Sequence, residues 1–259
     1  MTLILTEVQD HIATIIFNNP AKRNALSKAL VTEVITALAR FRNQKARAVI
    51  LRALPGAQVW SAGADITEFP QPGEDPLPYY GHIERLIRAI QHFPAPVIAM
   101  IEGSVWGGAC ELALVCDILI GTETASFAIT PAKIGVPYNP VGILHFINMV
   151  GMALVKEMFF TAQPITARRA LAVGLLNHLV PAAELESFTY KMAQGITRNS
   201  PLSISVIKEQ LRLLGNAMPL SPETFERIQG LREKVYHSKD YLEGQQAFLQ
   251  KRPPEFIGE

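Results

Sequence analysis

Only two cysteines occur in the chain, Cys110 and Cys116, six residues apart in one apolar stretch. That number and spacing exclude a disulfide framework and a paired-cysteine zinc site, which leaves buried free thiols as the expected state. The histidines, His11, His82, His92, His145, His178 and His237, are scattered without metal-ligand spacing and are expected to be satisfied or exposed side chains. An excess of one charge is also missing. With 24 basic and 23 acidic residues the formal charge is +1, so nothing global draws the chain to nucleic acid or to anionic lipid. An anionic ligand must be held by local groups instead. The N-terminus lacks a basic segment followed by a long apolar run, and later apolar stretches are interrupted by Glu, Asp, Gly and Pro short of a membrane span. The expectation is a soluble, reduced, cytoplasmic protein with no membrane or nucleic-acid partner and no metal.

What the chain does have is apolar material. Hydrophobic residues make up 49% and charged residues 18%, enough for a sizeable core in one large or two ordinary domains. Residues 2–8 and 11–17 read as a β-hairpin, closed by Asn19-Pro20. Ser27 reads as the N-cap of an amphipathic helix to about Arg42, with Leu30, Val34, Leu38 and Phe41 on one face. A strand follows over Ala48 to Arg52, then a helix over roughly Tyr79 to His92. VIAMIEG reads as a strand, GGACELALVC as a buried helix and DILIGT as another strand. This alternation implies an α/β fold with parallel strands and right-handed crossovers. Beyond Val141 the pattern is helical, over 142–151, 153–160, 166–173, 181–198, 201–215, 221–236 and 239–250. Asn199-Ser200-Pro201 marks a break between an α/β core, 1–199, and a helical C-terminal region, 200–259.

Two glycine-bearing turns follow strands. Ser61-Ala62-Gly63-Ala64-Asp65-Ile66 has residues small enough to let a ligand reach the main chain. Gly103-Ser104-Val105-Trp106-Gly107-Gly108-Ala109-Cys110-Glu111 opens a helix, whose first N–H groups lack internal partners and suit an anionic oxygen. Side by side, the two turns could aim one N–H each at the same oxygen. Equally, the small residues could serve only tight strand-to-helix packing. Neither turn has the spacing of a dinucleotide fingerprint or a phosphate-binding P-loop.

The blocks NPAKRNALS, VWSAGADI, IEGSVWGGACELALVCDILI and FAITPAKIGVPYNPVG occur in order along the whole chain. They resemble the successive motifs of the crotonase (enoyl-CoA hydratase/isomerase) superfamily. The resemblance implies a spiral of β-β-α repeats with a helical C-terminal trimerisation region, and a homotrimer or a dimer of trimers. It implies an acyl-CoA thioester substrate, with coenzyme A as part of the substrate and no separate cofactor. It assigns the two oxyanion-binding N–H groups to Ala64 and Gly108. Hydratases of the family grip a water with two glutamates; the first falls on Glu111, the second on Pro131, which can neither give nor take a side-chain proton. That leaves one carboxylate and argues against hydration.

SVWGGA, TPAKIGVPYNPVG and the tail FERIQGLREKVYHSKDYLEGQQAFLQKRPPEF resemble a decarboxylase branch of the superfamily. This branch implies loss of carbon dioxide from a malonyl or methylmalonyl thioester without biotin, with Tyr138 orienting the departing carboxylate. A histidine expected in that branch is replaced by Ala64, whose backbone N–H remains. By the same comparison Lys22, Arg23, Phe248 and Lys251 surround the nucleotide end of coenzyme A. Ala62, Gly63, Ala64, Asp65, Ile66, Gly107, Gly108, Thr130, Pro131 and Tyr138 line the rest of the substrate's path. Read without the resemblance, Tyr138 could simply pack, Glu111 could complement a helix dipole and Asp65 could cap residues 66–69. Two alternatives stand beside decarboxylation: a hydratase or isomerase using Glu111 alone, and a non-catalytic RNA-binding family member.

Overall fold

A computed structural model describes residues 2–71, 73–215 and 221–258. The hairpin forms as read, β1 (Ile4–Gln9) pairing antiparallel with β2 (Ile12–Phe17). The Ser27 side chain accepts from the Leu30 N–H and starts α1 (Lys28–Asn43), whose face of Leu30, Val34, Leu38 and Phe41 is buried. From there the chain lays down strands in pairs. β3 (Ala48–Ala53) is followed by short β4 (Val59–Ser61) and then α2 (His82–Gln91). β5 (Val97–Ile101) is followed by β6 (Ser104–Trp106) and α3 (Gly108–Leu114). β7 (Ile118–Gly121) is followed by β8 (Ser126–Ala128), a single 3₁₀ turn at Pro131–Ile134, and α4 (Pro140–Thr161). The remaining elements are β9 (Ile165–Thr166), α5 (Ala167–Ala172), β10 (His178–Leu179), α6 (Leu185–Thr197), α7 (Pro201–Gly215), α8 (Pro222–Tyr236) and α9 (Lys239–Leu249).

Each pair sends its first strand to one sheet and its second to another. The larger sheet has the order β1-β2-β3-β5-β7-β10, parallel from β2 onward. The smaller sheet has the order β4-β6-β8-β9, with only β9 antiparallel. This is the β-β-α spiral that the sequence motifs imply. The larger sheet is buried on both faces, so β5 is a continuous apolar run and β3 is one broken only by the buried Arg52. Val49 and Leu51 face the main core beneath α1, α2 and α3, while Ala48 and Ile50 face a second cluster closed by Leu185 and Ala193 of α6.

The smaller sheet is implied only by the resemblance and not by the residue pattern. Its strands are two or three residues long, too short for any periodicity to register. A second difference concerns α4. By length and composition this 22-residue helix is apolar enough to cross a membrane, contrary to the expectation that no stretch reaches that length. Gly151 resolves the disagreement, because its φ of 77° and ψ of 160° are not helical. The break leaves two segments of about ten residues, each about 15 Å long, roughly half the hydrocarbon thickness of a bilayer. The sequence reading of two helices meeting near 151–153 describes that geometry better than one span.

Candidate active site

The first glycine turn is held by the segment just before α1. The Ala62 N–H donates to the Arg23 carbonyl at 2.9 Å, and the Leu26 N–H donates to the Gly63 carbonyl at 2.7 Å. Asn24, at a φ of 53°, ties the same two strands of chain together: its Nδ2 donates to the Trp60 carbonyl at 3.0 Å, and its own carbonyl accepts from Ser61 Oγ at 2.7 Å. This clamp engages the groups on either side of the Ala64 N–H and leaves that N–H itself without an acceptor among the described residues.

Gly108 is the first residue of α3, so its N–H has no partner inside the helix, and none elsewhere among the described residues. The Gly107 N–H, one residue earlier, is fixed on the Ala128 carbonyl at 2.8 Å. The two turns lie against each other. A Cβ on Gly63, whose φ is +82°, would stand 2.5 Å from the Trp106 carbonyl oxygen and 3.0 Å from the Gly108 nitrogen. A Cβ on Gly108 would stand 3.8 Å from the Ala64 nitrogen. The alternatives left open by the sequence are therefore both present: the small residues do allow tight packing, and the packing brings two unpartnered N–H groups to one place.

Two spaces meet there. Outward, a cleft of about 540 Å³ is lined by Lys22, Arg23, Ala62, Ala64, Asp65, Ile66, Thr130 and Phe248, joined by Trp106 and by Lys133, a cation the sequence reading passed over. Lys22 Nζ reaches Asp65 Oδ2 at 3.0 Å. Burial tends to raise the Asp65 carboxyl, but hydrogen bonds from Thr67 and Lys22 outweigh it and hold the group below its ordinary value. Asp65 also accepts from the Thr67 N–H, so its reading as a cap is correct as well. Inward, a pocket of about 20 Å³, room for about one water, is lined by Gly108, Glu111, Tyr138 and Asn139, with Glu84 and residues 76–78 opposite.

Not every expected residue reaches these spaces. Gly63 and Gly107 brace the turns from behind, and Pro131 begins the 3₁₀ turn without lining either space. Lys251 lies past the end of α9, exposed, and does not line the cleft. The reason is the tail's course: Arg252 pairs with Glu243 at 2.6 Å and Asp240 accepts from the Ile257 N–H, folding the last residues back along α9.

The inner pocket holds a polar cluster that the sequence reading only partly foresaw. Glu111, 1% exposed, accepts from the Tyr138 hydroxyl at 2.8 Å on Oε2 and from His145 Nδ1 at 3.0 Å on Oε1. Gln91 Nε2 lies 3.1 Å from the other ring nitrogen of His145, so both ring nitrogens are engaged. Burial, reinforced by the neighbouring Glu111 charge, pushes the Tyr138 hydroxyl well above the usual range, so it stays a neutral donor. Its ring packs edge-on against Phe146 and Phe159. In this structure the Tyr138 proton is given to Glu111, so orienting a substrate carboxylate requires the hydroxyl to turn away from it.

Two residues around this cluster were missed. Grouping His145 with satisfied or exposed histidines overlooked that its satisfaction comes from Glu111. Glu84 corrects the inference that Glu111 is alone: it is a second carboxyl at the pocket, 4% exposed, brought in by the first turn of α2. Burial, with Glu111 nearby, raises Glu84 to about 7. Little signal was available, because Glu84 falls beside the apolar stripe of Ile83, Ile87 and Ile90 on α2 and not within it.

Paired strands spiralling into two sheets, with two idle N–H groups where they meet, define an enzyme of the crotonase fold. The chain belongs to the enoyl-CoA hydratase/isomerase family, whose model matches residues 7–259. It is 51% identical over 247 residues to the methylmalonyl-CoA decarboxylase of Escherichia coli (strain K12), covering 95% of each chain. Among solved structures it resembles a methylmalonyl-CoA decarboxylase in complex with 2-nitronate-propionyl-CoA, with a TM-score of 0.97, 49% identity and 99% coverage of both chains. It also resembles a methylmalonyl-CoA decarboxylase complexed with 2S-carboxypropyl-CoA, with a TM-score of 0.97, 48% identity and coverage of 100% of this chain and 99% of the other.

Proposed function

We propose that this chain decarboxylates methylmalonyl-CoA to propionyl-CoA through a thioester enolate, as a biotin-independent lyase. The observation that carries this reading is the pair of adjacent N–H groups, Ala64 and Gly108, without protein acceptors at the junction of cleft and pocket. Breaking the bond to the carboxylate moves an electron pair into the thioester, so negative charge grows on its oxygen. Two fixed donors at that oxygen stabilise the transition state more than the ground state. The electron pair of the broken bond stays in the enolate until a proton arrives, and the balance needs no oxidant, metal or biotin.

The surrounding groups fit the rest of the substrate. Lys22, Arg23 and Lys133 supply positive charge for the phosphates of coenzyme A along the cleft, and Phe248, 52% exposed, offers a ring for its base. At the inner end the aromatic wall around Tyr138 strips water from the malonyl carboxylate. Turning its O–H from Glu111 toward that carboxylate, Tyr138 holds the breaking bond across the thioester plane.

Hydration is a second reading with one observation in its favour: Glu84 and Glu111 restore a carboxyl pair at the pocket. Against it, both Glu111 oxygens are already engaged by Tyr138 and His145. The test offers the purified protein methylmalonyl-CoA and crotonyl-CoA in parallel. Propionyl-CoA and carbon dioxide should form from the first, with at most trace hydration of the second. Rapid hydration with inert malonyl thioesters would reverse the assignment.

We propose in addition that the chain works as a trimer or a dimer of trimers assembled through its C-terminal helices. α7 buries none of its residues, and Leu202, Val206, Ile207, Leu211, Leu213 and Leu214 are exposed along it. An apolar surface of that kind needs a cover. Light scattering should give a multiple of three chains; a stable monomer would overturn this.

A further inference from the structure

Decarboxylation leaves a carbanion equivalent that must take up a proton at the α-carbon, and the oxyanion donors cannot supply it. The candidates are the protonated side chains facing the inner pocket. Tyr138 is held neutral by burial and by Glu111, which makes it a poor acid. His145 is already engaged at both ring nitrogens, by Glu111 and by Gln91. His82 gives its Nε2 proton to the Leu26 carbonyl at 3.1 Å. Glu111 is an acceptor at both oxygens. Glu84 alone among these is a pocket-lining acid whose carboxyl makes no hydrogen bond to any described residue. It sits in the first turn of α2 beside Ile83, whose Cδ1 stands 3.8 Å from where a Gly108 Cβ would be.

We infer that Glu84 is the catalytic acid that protonates the enolate carbon, an assignment resting on the decarboxylase reading above. In this step the Glu84 O–H bond breaks and its electron pair stays on the carboxyl oxygen. The enolate double bond supplies the pair for the new C–H bond, and the thioester carbonyl re-forms. A proton from water restores Glu84 for the next turnover.

The environment keeps the acid loaded. Glu84 faces Glu111 from α3 and His145 from α4, with Tyr138 at the pocket wall and Arg88 on its own helix. Burial and the Glu111 charge favour its neutral form up to about pH 7, whereas His145 and Arg88 pull the other way and are outweighed. A neutral carboxyl also avoids repelling the incoming substrate carboxylate. Delivery from one side fixes the face at which the proton lands.

The test runs methylmalonyl-CoA turnover in D₂O and, separately, follows exchange of the α-hydrogens of propionyl-CoA with D₂O. The wild-type chain should give α-deuterated product of one configuration and catalyse the exchange. Glu84→Gln, which keeps size and polarity but has no acid proton, should give product of mixed configuration and exchange at least about 10²-fold more slowly, with propionyl-CoA binding retained. Should that variant fail to fold, Glu84→Asp serves, because withdrawing the carboxyl by about 1 Å should slow exchange at least about 10-fold. Unchanged exchange and a single product configuration in Glu84→Gln, or full-rate exchange in Glu84→Asp, overturn the assignment. A wild-type chain inert to methylmalonyl-CoA but exchanging propionyl-CoA through Glu84 overturns the decarboxylase reading and leaves Glu84 as the α-carbon acid.

Discussion

The two halves of the site are built from different material. The outer half is main chain: Ala64 and Gly108 contribute N–H groups whose positions come from β4, β6 and the Arg23–Leu26 clamp. The inner half is side chain: Glu84, Glu111, Tyr138 and His145 converge from α2, α3, a loop and α4. A backbone donor costs no side-chain entropy and tolerates change in the residue that carries it, so an alanine serves at position 64. A buried polar cluster is the opposite case, because Glu111, Tyr138 and His145 satisfy one another and removing one strands its partner. The difference teaches where substitutions should act on rate alone and where they should act on rate and stability together.

The largest effect should come from the main-chain half. Gly108→Pro deletes one N–H at the first helical position, where proline is tolerated. Turnover should fall at least about 10²-fold, with thermal unfolding and propionyl-CoA binding close to wild type. Retained decarboxylation in a folded variant would place the negative charge somewhere other than on Gly108. Next in size is the side-chain half. Tyr138→Phe should lower kcat by roughly 30-fold, as a lost contact of about 2 kcal/mol does, with KM for the thioester little changed. It should also lower Tm, since Glu111 loses one of its two donors. Glu111→Gln should cost less activity; the reverse order in kcat would make Glu111 the working group.

The smallest effect sharpens the comparison from the stability side. The folded-state value of Glu84 is raised from 4.5 to about 7, so the folded chain binds more protons than the unfolded chain between those pH values. Stability therefore declines as pH rises through that window. Glu84→Gln removes the buried charge, so its Tm should exceed that of wild type by a few degrees at pH 8 and match it near pH 4.5. Equal Tm values at pH 8 would mean that Glu84 carries no burial cost.

The same contrast explains what could be read in the sequence. The main-chain half was legible because it leaves a local trace: glycine where a Cβ would collide, as at Gly63, and a small-residue helix start at Gly108. The α1 cap at Ser27 and the doubly buried β3 and β5 were legible for the same reason. The side-chain half is long-range. Glu84 and His145 lie 61 positions apart and meet only because α2 and α4 both pack on α3, so no spacing rule connects them. Lys251 stays outside its own chain's cleft for a related reason: the turn after α9 is fixed by Arg252, Glu243 and Asp240, and not by Lys251 itself.

The segment carrying Tyr138 also leans on the end of the chain. A Cβ on Gly135 would stand 3.0 Å from the Tyr241 Cα, so α9 lies directly against this segment. Arg232 of α8 grips Asp75 at 2.9 Å, just before the residues that roof the inner pocket. The oxyanion donors and the pocket wall thus depend on different parts of the sequence. Weakening α8 or α9 would leave both N–H groups in place while removing the backing for Tyr138 and the anchor for Asp75, so the dryness of the pocket is set from outside it.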